Sequence, residues 1–128
     1  MIYLVSTNYI DLFIAILTAV EATAEKAMEY DKKENNLQAY KTAKQMREEY
    51  SALKDNLHDK RENYVFTAKD CATIFTGAFI VSEQLQKKIN QEQAVLEGYK
   101  TDIMPKLQQA VKAGEKVNEK MIELFQVK

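Results

Sequence analysis

Apolar residues recur at helical spacing along almost the whole of this chain. Between 37 and 64 the series Ala39, Ala43, Met46, Tyr50, Leu53, Leu57, Lys60, Tyr64 alternates steps of four and three, which is one seam on an α-helix. Lys60 is its charged member, and a lysine can lay its stem on such a seam while the ammonium stays wet. Leu107, Ala110, Val111, Val117, Met121, Leu124 and Phe125 form a second stripe near the end. Three glycines and one proline are the only strong breakers.

These patterns predict an all-α fold with helices at about 9–33, 37–64, 68–97 and 102–127, in one domain spanning 1–128. Asn8 is read as the first N-cap and Asn36 as the second. Thr67 and Asp70 have capping-box spacing ahead of the third helix. Gly98 is read as the left-handed residue that ends it. Pro105 suits the first turn of the fourth helix. Gly114 falls inside that helix and weakens it by about 1 kcal/mol relative to alanine. Long helices on short loops predict an antiparallel up-down four-helix bundle with shallow, coiled-coil-like packing. Residues 2–5 are too short a run to assign to helix or strand.

Antiparallel threading gathers the large side chains at one end. That fat end collects Leu12, Phe13, Ile14, Ile16, Leu17 and Val20, then Leu57, Tyr64, Val65 and Phe66. It also takes Ile74, Phe75, Phe79, Ile80 and Val81, and Met121, Ile122, Leu124 and Phe125. The lean end holds mainly alanines with Leu85, Ile89 and Leu107. Residues 12–17 and 74–81 are apolar nearly all round. A helix of that kind is central or pressed against another chain. Phe13, Ile14, Ile16, Leu17, Phe75, Phe79 and Ile80 are therefore the expected contact surface. A fold-back of residues 2–5 over the excess is the competing reading. Thr76-Gly77 is read as a close approach between the first and third helices, with a hinge as the alternative. A second candidate surface lies toward the lean end: the acidic row Glu21, Glu25, Glu29 with Tyr30, Tyr40 and Tyr99.

Composition narrows the function classes. The 18 basic and 19 acidic residues leave a net charge of -1, with no clustered basic excess for nucleic acid. The apolar stretch Ile10–Val20 is shorter than the ~20 residues a membrane span needs. The start has no basic n-region of a secretory signal. A single cysteine forbids an internal disulfide and fits a reducing, cytoplasmic setting.

Candidate chemistry is thin. Asp55 and His58 make a lone half-motif, and one histidine cannot supply a ferritin-like di-iron site, so no metal or cofactor is expected. Cys71 at the start of the third helix and His58 near the end of the second could in principle form a nucleophile pair. The expected function is non-enzymatic protein–protein contact. Size, composition and the lysine bias (Arg47 and Arg61 are the arginines) fit a small phage or low-GC bacterial accessory factor that binds and inhibits or adapts a larger protein. A self-assembling homodimeric structural protein is the second reading, and an enzyme using Cys71 and His58 the third.

Overall fold

A computed structural model describes residues 4–87 and 93–126. The protein is all-α. Among the described residues six α-helices follow in chain order: α1 Thr7–Lys33, α2 Leu37–Lys60, α3 Ala68–Gln86, α4 Gln93–Gly98, α5 Met104–Lys112 and α6 Val117–Phe125. Among the described residues the only extended pairing is an isolated antiparallel bridge between Val5 and Gln126.

α1 begins two residues before the expected start. The Ser6 hydroxyl, not the Asn8 amide, caps it, accepting from the Asn8 N–H at 3.3 Å. Asn36 caps α2 as expected, its side chain accepting from the Ala39 N–H at 3.2 Å. α2 continues past His58 to Lys60, where Arg61 takes a positive φ of 48° and a 3₁₀ turn, Arg61–Asn63, follows. The Thr67–Asp70 capping box is formed in both directions, at 3.1 and 3.0 Å.

The second half departs from the expected pattern. The helix predicted over 68–97 ends at Gln86, and the next described helix starts at Gln93. Gly98 is not a left-handed terminator. Its φ of -58° and ψ of -43° are right-handed, and a π-helical segment, Tyr99–Ile103, carries the chain straight on into α5. Pro105 explains that widening. A proline inside a helix loses a donor and crowds the carbonyl four residues back, here Thr101. The looser turn, in which the Met104 N–H donates to the Tyr99 carbonyl, makes room. The left-handed residue is instead Gly114, at φ 60°, and it separates α5 from α6.

α1 packs most extensively on α2, and α3 packs chiefly on α5 and α1. The chain direction turns by 116° between the α2 arm and α3. A strictly antiparallel pair would turn by about 180°, so α3 crosses α2 steeply. The continuous core holds Phe13, Ile16, Leu17, Val20, Leu57, Ile74, Ala78, Leu107, Met121 and Phe125. Leu107 is therefore a core residue and not part of a lean end. Ile89 lies outside the described residues. Ala24, Met28 and Ala43 are buried but stand apart from this core, between the outer halves of α1 and α2.

Phe13 meets Phe125 and Phe66 edge to face at 5.3 and 6.1 Å, and Tyr9 meets Phe125 at 4.8 Å. Residues 5–6 and 125–126 come together over this cluster. Val5 is buried, and the Ser6 N–H donates to the Phe125 carbonyl at 2.7 Å. Tyr9 donates to Asp102 at 3.1 Å, while Lys106 pairs with the same carboxylate at 2.6 Å and lies over the Tyr9 and Phe125 rings. Gly77 marks where three helices meet. A β-carbon there would stand 2.9 Å from Ile16 and 3.2 Å from Tyr50, so close packing and not a hinge accounts for the glycine.

Candidate interaction surface

The first half of the expected contact surface is not surface. Phe13, Ile14, Ile16 and Leu17 are all buried, in one core with residues of α2 and α3 and with Val5 and Phe125. α1 is central. Its solvent stripe is Asp11, Ala15, Thr18 and Ala22, residues too small or too polar to need covering.

α3 differs. Cys71, Ile74, Ala78, Ser82 and Leu85 face the core, and the Ser82 hydroxyl donates to the Ala78 carbonyl at 2.8 Å. The opposite face carries a second seam in steps of three and four: Lys69, Ala72, Thr76, Phe79, Glu83 and Gln86, all exposed. Phe79 is 50% exposed, and Phe75 and Ile80 beside it are half-buried. A groove of about 240 Å³ runs between this face and α5, lined by Ala72, Phe75, Thr76, Gln108, Val111 and Lys112. Residues 72, 76, 108, 111 and 112 were not expected there. The three-and-four spacing of the outer α3 seam was readable in the sequence, but the placement of α5 beside it was not.

The second candidate surface holds together only in part. Glu21 is engaged between α1 and α2, accepting from the Ser51 hydroxyl and the Lys54 ammonium. Burial alone pushes its carboxyl upward, but these two hydrogen bonds and the charge of Lys54 outweigh that and hold it below the usual range. Tyr99 is buried in the π segment. Both leave the proposed row. Glu25 and Glu29 are exposed and share a groove of about 310 Å³ with Met28, Lys32, Tyr40 and Arg47. Tyr30 is exposed and Tyr40 half-buried. This surface carries both signs of charge.

Cys71 is fully buried, and burial, with the adjacent Asp70 charge, pushes its thiol up to about 12. It stays protonated at neutral pH, so the thiolate that a Cys71–His58 nucleophile needs is absent. His58 is exposed. Among the described residues no cluster of His, Cys, Asp or Glu could hold a metal ion. Among the described residues no single helix is long and apolar enough to cross a membrane. Neither known protein families nor curated proteins nor solved structures give a match to this chain.

Proposed function

We propose that the protein works by non-enzymatic protein–protein contact and that the outer face of α3 is the contacting surface. The observation that carries this is Phe79, half exposed at the middle of a helix beside Ile80 and Phe75, the last of which lines an apolar groove against α5. A large aromatic left in water amid other apolar side chains marks an interaction site more often than isolated exposure does. Among the described residues α3 is the helix with an open face. An accessory factor that binds and inhibits or adapts a larger protein fits the small size and the even charge. A second copy of the chain fits the same face.

Affinity capture from the native cell with wild-type and Phe79→Glu baits tests the assignment. Loss of a specific partner with unchanged helicity supports it. Equal capture by both baits places the contact elsewhere.

A further inference from the structure

We infer that the outer face of α3 takes a second copy of the same chain, set antiparallel so that the two α3 helices cross near Thr76. This rests on the reading of that face as the contact surface and names its occupant.

A two-fold interface is made by one patch meeting itself, so each residue and its opposite number must exchange roles. The α3 seam has that property. Lys69 and Glu83 stand equally far from Thr76, about two helical turns on either side. An antiparallel copy centred there brings Lys69 of each chain against Glu83 of the other, twice over. Nearly the same centre relates Phe79 to Ala72, a large side chain to a small one. Each Phe79 then lies over the other copy's Ala72, beside the groove that Phe75, Thr76 and Val111 line. Lys112 borders that groove and adds a second cation at the end where the other copy's Glu83 arrives. A parallel copy would instead set Lys69 on Lys69 and Glu83 on Glu83, and like charges placed opposite one another repel.

Within one chain Lys69 and Glu83 are about 21 Å apart along the helix, too far to touch. Any energetic coupling between them must pass through a second molecule. Each reversal also suits its position, an acid in the first turn and a base in the last, so neither undermines α3.

Sedimentation velocity on the full chain over about 1–100 μM is the experiment, with circular dichroism as the folding control. Wild type is expected to dimerise, and Phe79→Glu to be monomeric with unchanged helicity. Lys69→Glu and Glu83→Lys are each expected to weaken the dimer by at least about tenfold. The double reversal is expected to restore it, and mixing the two single variants to give a heterodimer. A wild-type chain that stays monomeric, or a double reversal no tighter than the singles, overturns the inference. If the chain is monomeric yet Phe79→Glu loses a captured protein, the second copy is wrong and the contact face stands. If Phe79→Glu dimerises as wild type does and captures the same proteins, both readings fail.

Discussion

Residues 12–17 of α1 and 74–81 of α3 have the same character in sequence and opposite fates in the fold. Both are apolar nearly all round. α1 is flanked by α2 and α3 and covered at its start by Val5 and Phe125, so its large residues vanish into the core. α3 has α1 and α5 on its inner side and nothing over its outer one among the described residues, so Phe79 stays in water. All-round hydrophobicity therefore signals that a helix needs covering. Which neighbours supply the cover is set by threading, and only the shortfall is available for a partner.

The largest expected effect lies on the α1 side. Phe13→Ala removes a ring packed edge to face on Phe66 and Phe125 and is expected to cost about 3–5 kcal/mol in denaturant melts. Phe79→Ala is expected to cost less than about 1 kcal/mol. Comparable losses at the two sites would mean that α3 is as enclosed as α1.

Gly77 lies where the two stretches touch. Gly77→Ala drives a methyl against Ile16 and Tyr50, and even with alanine's better helix propensity a net loss of about 1 kcal/mol is expected. A stabilised variant would show that α1 and α3 sit farther apart.

The helices of the first half were legible because each is bounded by local chemistry: Asn36 and the Thr67–Asp70 box cap α2 and α3 where the sequence placed them. The second half is less legible because its sequence marks the boundaries ambiguously. Nothing in the sequence between Gln86 and Gly98 breaks a helix on its own, so the end of α3 at Gln86 carries no local signal. A glycine can either end a helix or sit inside one at modest cost, and Gly98 and Gly114 exchanged those roles. The split between exposed and buried apolar residues is half legible for the same reason. Phe75, Phe79 and Ile80 were readable as apolar excess, whereas Phe13 to Leu17 needed the fold-back of Val5 before they could be recognised as core.

The two glycines give a sharp contrast of signs. Gly98→Ala meets no neighbour within 4 Å at a right-handed position and is expected to stabilise by about 0.4–1 kcal/mol. Gly114→Ala forces a side chain to φ 60° and is expected to destabilise by about 1 kcal/mol. Matching signs would place the break between α5 and α6 elsewhere.

The smallest effect concerns how α2 holds the far side of α1. Glu21 has a lowered pKa in the folded chain, so its contribution is present above the unfolded value near ~4.3 and is lost as pH falls through the folded one. The stability gap between wild type and Glu21→Gln is therefore expected to be open at pH 7 and to close toward pH 3. A gap that does not change with pH would mean that the Ser51–Lys54 contacts do not favour the ionised carboxylate.

Carbene footprinting of the intact chain, dilute and at associating concentration, addresses the contrast between the two apolar stretches most directly. Phe13 is expected to remain unlabelled throughout, while Phe79 labels in the dilute protein and becomes protected on association. Labelling of Phe13, or a Phe79 that is unreactive when dilute or equally reactive when associated, would contradict a buried α1 and a contacting α3.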